Sequence, residues 1–357
     1  MINVTQPFLP PFELYESYLK KVWERKWLTN NGPLVQELEA SLKSYLGVKH
    51  FFFINNGTVA LQLAIKALDL KGEVITTPFS YVATTNSLLW EGCTPVFADI
   101  KESDFNIDPG KIIPLINENT TGIMATHVYG NPCDVEAIEK IAQEYNLKVI
   151  YDGAHAFGCT LNGRQVLSFG DIATCSFHAT KLFHTVEGGA VITNDDALAE
   201  KIHLYRQFGH IGDEYYSIGI NGKSSEMHAA MGLSILPYLN DIISVRKTIC
   251  EEYDRKLKGL PLYRPEGIEG TGYNYAYYPV VLESENQLLR VKEYLANCSV
   301  FTRRYFYPSL NTLTFARGKA CPVSEDIALR VLALPLYYNL SVSEVQIITG
   351  YLNNFLK

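Results

Sequence analysis

Between residues 50 and 195, short apolar runs rich in Val, Ile, Phe and Ala alternate with stretches of helical period, and this alternation constrains the fold more than any other feature. The runs fall at 51–54, 73–77, 95–100, 122–128, 148–152, 171–177 and 189–193. Continuous rather than every-other-residue apolarity is what a strand shows when both faces of its sheet are covered. Between the runs, TVALQLAIKAL at 58–68 reads as an apolar helix that begins directly after a glycine. Asp134 is placed to cap a helix with Val135, Ile138, Ala142 and Tyr145 on one face. Seven strands with intervening helices predict a three-layer α/β domain built on a mainly parallel sheet.

The alternation fades near residue 235. Beyond it, 238–257 reads as a long connector helix, 273–282 as a strand and 285–296 as a helix. A chain of 357 residues exceeds the size at which one core usually stops growing. The expected division is therefore a large domain over 1–240 and a smaller α+β domain over 241–357.

Composition removes several classes of function. A net charge of −7, with no basic run, does not favour a nucleic-acid partner. No apolar stretch approaches the roughly 20 residues that span a bilayer, and the first residues carry no pattern of a basic segment followed by an apolar one. The seven cysteines are widely spaced with no CxxC, so reduced thiols in a cytoplasmic enzyme are expected, without a zinc site.

Three constellations sit at strand ends or helix starts, where open α/β sheets build ligand sites. Asn55-Asn56-Gly57-Thr58 ends one apolar run and opens a helix, so free amides there attract an anion such as phosphate. An ordinary turn and N-cap would read the same way. Asp152 closes the run KVIYD, where a carboxylate can hold a pyridinium nitrogen protonated, and His155 follows three residues on. A cap and a core histidine are the plainer reading of that pair. Lys181 follows another apolar run in Ser176-Phe177-His178-Ala179-Thr180-Lys181. Lysines are seldom placed near interiors, and one withdrawn from water becomes a competent amine nucleophile. The alternative is a surface lysine after a strand. Ser176 could add a hydroxyl to a phosphate, and Gly188-Gly189 permits a tight return into the last run.

The order phosphate turn, aspartate, lysine is that of fold-type-I pyridoxal-phosphate (PLP) enzymes. The segments NNGTVAL, TTPFSYVATTN, HVYGNPCDVEAI, YDGAHAFG, SFHATK and EGGAVITND together resemble the DegT/DnrJ family of sugar-nucleotide aminotransferases. The likeness runs from Leu28 to Tyr337. It implies that Lys181 carries the cofactor as a Schiff base and moves the proton, that Asp152 pairs with the ring nitrogen and that His155 lies near the ring oxygen. It also implies that Gly57, Thr58 and Ser176 hold the phosphate and that Tyr81 covers the ring face. Asn221 matches the family position that reaches the cofactor of a partner subunit, which implies a homodimer with shared sites. Gly222 and Lys223 stand where the family has Tyr and Arg.

The implied reaction passes an amino group from L-glutamate, by way of the pyridoxamine phosphate form, to a nucleotide-linked keto-6-deoxyhexose for surface polysaccharides such as O-antigen. The wording of SFHATKLFHT and HVYGNPCDVEAI most resembles enzymes that aminate dTDP-4-keto-6-deoxyglucose. Lys181 separates the chain from the family's 3-dehydratases, which carry His there. Arg303 and Arg304 are candidates for the diphosphate, and His184, Tyr129 and Tyr307 for the sugar pocket. The alternatives are a 3-keto sugar aminotransferase, a non-catalytic PLP-binding regulator, and a nicotinamide enzyme, for which a single glycine in NNGTVAL is too few.

Overall fold

The computed structural model describes residues 1–356. Its centre is a seven-stranded sheet of β1 (His50–Ile54), β2 (Glu73–Thr76), β3 (Thr94–Phe97), β4 (Thr120–Thr126), β5 (Lys148–Asp152), β6 (Ile172–Ser176) and β7 (Gly189–Thr193). All seven apolar runs became strands. Their spatial order is β1-β7-β6-β5-β4-β2-β3, with β7 antiparallel to both neighbours and the remaining pairs parallel.

Successive residues along the strands enter opposite apolar layers, as the two-residue period of a strand requires. Phe52, Ile54, Met124, Ile150 and Val191 pack on one side with α3 (Gly57–Ala67). Phe51, Phe53, Ala125, Val149 and Ile192 pack on the other, in one apolar layer with α1 (Phe12–Arg25), α2 (Pro33–Leu46) and the helix Val135–Tyr145. Both faces are covered, which is why the runs show no alternation in the sequence.

Local signals explain the helix starts. The Asp134 side chain accepts from the Ala137 amide at 3.1 Å, and Val135, Ile138 and Ala142 are buried. Tyr145, expected on that face, is exposed instead, because it is the last residue of the helix and lies beyond the layer it packs against. Asn56 caps α3 by accepting from the Val59 amide at 2.9 Å.

The helix Leu239–Leu257 leaves the first apolar body, and a second body gathers Ile249, Tyr253, Val280, Leu288, Leu334 and Ile348. Only Tyr278–Val281 of the expected strand 273–282 is β-structure, paired antiparallel with Val331–Leu334. The preceding residues are diverted. Asn274 donates to the carbonyls of His155 and Phe157 at 2.8 and 2.9 Å, tying that stretch to the loop after β5. The first residues also cross over: Phe301 donates to the Ile2 carbonyl at 2.8 Å and Leu336 to that of Val4 at 3.1 Å. They pack with the C-terminal body, not with the residues that follow them in the chain.

Candidate active site

A cavity of about 320 Å³ opens where β5 and β6 end and α3 begins. Gly57 and Thr58 form its floor at the first turn of α3, whose amides have no partners within the helix. That end of the helix is therefore a ready anion site. A Cβ on Gly57 would lie 2.9 Å from the Cβ of Ser176, so only glycine lets the turn close against β6. Gly189 serves the same contact from the other side, since a Cβ there would meet the Asn56 carbonyl carbon at 2.6 Å. Neither Gly188 nor Gly189 adopts positive φ. The double glycine is a matter of close approach, and the tight return expected of it is not the reason.

Asp152 ends β5 in the cavity wall and is buried. Its Oδ1 accepts from the Ala154 amide at 3.0 Å and its Oδ2 from the Thr84 hydroxyl at 2.7 Å. Each carboxylate oxygen keeps a lone pair for a further donor. His155 is also buried. The Tyr129 amide donates to its Nδ1 at 3.3 Å, which assigns the proton of the neutral ring to Nε2. Burial, reinforced by the nearby Lys181 ammonium, holds its pKa well below the ordinary imidazole value. Its ring lies parallel to that of Phe306, with centroids 5.4 Å apart.

Lys181 reaches the same cavity, and its Nζ donates to the Tyr277 hydroxyl at 3.4 Å. Ser176, Tyr81 and Arg303 also line it, Tyr81 at the mouth with 56% of its surface exposed. The Arg303 guanidinium sits 5.2 Å from the Tyr305 ring centroid, the geometry of a cation–π contact.

Five of the residues singled out do not join this cavity. His184 is buried elsewhere, with Nε2 on the Phe8 carbonyl at 2.7 Å, and serves to seat the N-terminal segment. Tyr129 is fully buried and spends its hydroxyl on the Tyr305 carbonyl, so it supports the wall from behind. Arg304 turns away to pair with Glu285 at 2.8 Å, and its guanidinium covers Tyr307, which lies outside the cavity as well. Asn221 lies on the surface beside a separate hollow with Thr29, Asn30, Asn55 and Lys223, and its carbonyl accepts from Asn55 at 3.2 Å. Sequence reasoning missed Thr84 and Tyr277. Thr84 stands in the segment TTPFSYVATTN, and only the fold shows which of its hydroxyls meets Asp152.

The profile of the DegT/DnrJ/EryC1/StrS aminotransferase family matches residues 13–353. The chain is 45% identical over 350 residues to dTDP-4-amino-4,6-dideoxy-D-glucose transaminase of Shigella dysenteriae, covering 95% of each chain. It is 42% identical to the Escherichia coli enzyme of the same name, covering 98% of each. Among solved structures, DesI, crystallised in the presence of its TDP-sugar product, superposes with a TM-score of 0.94 at 33% identity over 99% of this chain and 92% of DesI. PseC of Helicobacter pylori, an aminotransferase of pseudoaminic acid biosynthesis, gives 0.93 at 29% over 99% of each.

Proposed function

Because this chain belongs to the DegT/DnrJ/EryC1/StrS aminotransferase family, whose enzymes depend on pyridoxal phosphate, we propose that it moves an amino group from L-glutamate to dTDP-4-keto-6-deoxyglucose, giving dTDP-4-amino-4,6-dideoxyglucose. The observation that carries the reading is the meeting of the Lys181 amine, the Asp152 carboxylate and the Gly57–Thr58 start of α3 in one cavity. These groups fit the cofactor. A buried carboxylate with acceptor capacity to spare suits a ring nitrogen, a lysine suits a carbonyl, and a helix N-terminus beside a serine hydroxyl suits a phosphate. When bound, pyridoxal phosphate supplies a carbonyl that accepts an amine and a ring that draws electrons from the adjacent carbon.

The chain's own groups would then divide the work. The first-turn amides of Gly57 and Thr58, with the Ser176 hydroxyl, bind the phosphate. Asp152 orients the ring and offers it a fixed negative charge, an electrostatic contribution that needs a rigid carboxylate. His155, neutral and protonated on Nε2, is set to donate to a ring oxygen. Lys181 Nζ takes and returns the proton that is exchanged at the reacting carbon. Arg303 at the mouth offers two donors to a diphosphate.

The 45% and 42% identities to transaminases named for the dTDP-linked 4-amino sugar support that substrate over a GDP-linked one, since the GDP-perosamine synthase of Vibrio cholerae is 32% identical. A role in surface polysaccharide is supported by 31% identity to the spore coat polysaccharide biosynthesis protein SpsC of Bacillus subtilis. The proposed assembly is a homodimer. Its support is the position of Asn221 outside its own cavity and the exposure of Trp23, Trp27, Phe208 and Ile218.

The test is spectroscopic. Protein reconstituted with pyridoxal phosphate should lose its visible absorbance on adding L-glutamate and regain it on adding dTDP-4-keto-6-deoxyglucose, and Lys181→Ala should do neither. Recovery with a 3-keto isomer alone would assign the neighbouring specificity. Absence of any visible band would overturn the reading.

A further inference from the structure

Asp152 leads into a row of three buried hydroxyl groups, of which those of Ser80 and Thr126 belong to residues that also border the cavity. Thr84 Oγ1 lies 2.7 Å from Asp152 Oδ2, Ser80 Oγ lies 2.7 Å from Thr84 Oγ1, and Thr126 Oγ1 lies 3.1 Å from Ser80 Oγ. All three are nearly inaccessible, at 0%, 2% and 2% exposure for Thr84, Ser80 and Thr126. They come from separate parts of the chain: Thr126 ends β4, Ser80 lies in the loop after β2, and Thr84 is in the first turn of the helix Val82–Trp90.

Each hydroxyl has one proton to give. An ionised carboxylate only accepts, so the Thr84 proton must go to Asp152. Ser80 must then donate to Thr84, and Thr126 to Ser80. Were Asp152 protonated on Oδ2, its own O–H would compete for the same contact and the row would have to reverse. The direction of the row is thus coupled to the charge on Asp152, and successive donors polarise one another in a low-dielectric interior. Thr84 is fully inaccessible and does not line the cavity, so water cannot take its place, whereas Ser80 and Thr126 border the cavity wall.

We propose that Thr126, Ser80 and Thr84 act as a one-directional chain of positioning residues that holds Asp152 as a charged, aimed acceptor and so keeps the cofactor's ring nitrogen protonated. The proposal rests on the reading of Asp152 as the ring partner. Thr84 is the essential link, since it alone joins Ser80 and Thr126 to the Asp152 carboxylate.

The experiment compares wild type with Thr84→Val, Thr84→Ser, Ser80→Ala and the Ser80→Ala/Thr84→Val double variant. The readouts are the dissociation constant for pyridoxal phosphate and the 15N resonance of a ring-labelled cofactor. A hydrogen bond to a charged group is worth enough that Thr84→Val should weaken retention roughly ten- to hundredfold. The resonance should move toward that of an unprotonated pyridine, because a carboxylate that has lost a donor competes harder for the ring proton. Thr84→Ser should restore both. Ser80→Ala should move both in the same direction by less, and the double variant should be no worse than Thr84→Val alone. Wild-type values for Thr84→Val, or additive effects in the double variant, would overturn the chain. If Thr84→Val does not fold, Ser80→Ala decides, and an unmoved resonance there also overturns it. Failure of wild type itself to hold the cofactor would instead sink the assignment of the site.

Discussion

Replacing Asp152 by Asn separates the carboxylate's structural role from its charge. Its two oxygens accept from Ala154 N at 3.0 Å and from Thr84 Oγ1 at 2.7 Å. The amide oxygen of Asn can keep the first bond. Its NH₂ then faces Thr84, which can accept that hydrogen bond and turn its own proton toward Ser80, since a hydroxyl both gives and takes. Ser80 can pass the reversal to Thr126. The freed Thr126 proton then faces the cavity that this residue lines, so the row can reverse and the folding cost should stay near about 1 kcal/mol. The electrostatic loss is not recovered, because a neutral amide offers no charge to a ring nitrogen. Removing one preorganised electrostatic group typically slows turnover about 10²- to 10³-fold, or about 3–4 kcal/mol of barrier. Single-turnover reaction with L-glutamate, followed by the loss of cofactor absorbance, measures the rate, and a thermal melt controls for folding. A rate within tenfold of wild type would refute the role given to Asp152. A collapsed melting temperature would refute the hydrogen-bond accounting.

Gly57→Ala places a methyl 2.9 Å from the Ser176 Cβ and 3.3 Å from its backbone Cα. Overpacking of this kind costs about 1–3 kcal/mol and should be felt as weaker cofactor retention, read by equilibrium dialysis; unchanged retention would show that this turn does not hold the phosphate. A different test concerns acid. Burial pushes His127 down to about 3 from 6.5, so the unfolded chain takes up a proton below about pH 6.5 that the folded one refuses. Stability is full above that pH and falls by about 1.4 kcal/mol per unit as the pH drops toward 3. His155, His184, His203 and His228 are lowered too and add to the slope. Urea midpoints between pH 6.5 and 4.5 should therefore fall more steeply for wild type than for His127→Gln, and parallel curves would contradict the burial argument.

The strands were legible because burial on both faces leaves a signal that needs no partner to interpret. Phe51 and Phe52 enter different apolar layers, yet both must be apolar, so the run reads as a run. The stretch 273–277 was misread for the complementary reason. Its aromatic residues look like a strand, but the Asn274 side chain, bonding His155 and Phe157 carbonyls more than a hundred residues away, holds it as a loop. A side chain that satisfies distant backbone leaves no periodic trace.

The same distinction runs through the cavity. Gly57, Asp152 and Ser176 each sit at the end of an element, and Lys181 follows in the loop after β6, where the local pattern announces the position. Arg303 and Arg304 are adjacent and chemically identical, and no local pattern separates them. What decides is an antiparallel bridge: Arg303 and Ala333 exchange hydrogen bonds at 3.3 and 2.8 Å. In extended chain a shift of one residue reverses the face. Arg303 and Tyr305, two apart, therefore share the cavity, while Arg304 is turned to Glu285. Had the bridge formed one residue later, the roles of the two arginines would be exchanged. Side-chain chemistry specifies what such a site can bind, but register over a partner strand specifies which of two equal candidates faces the cavity.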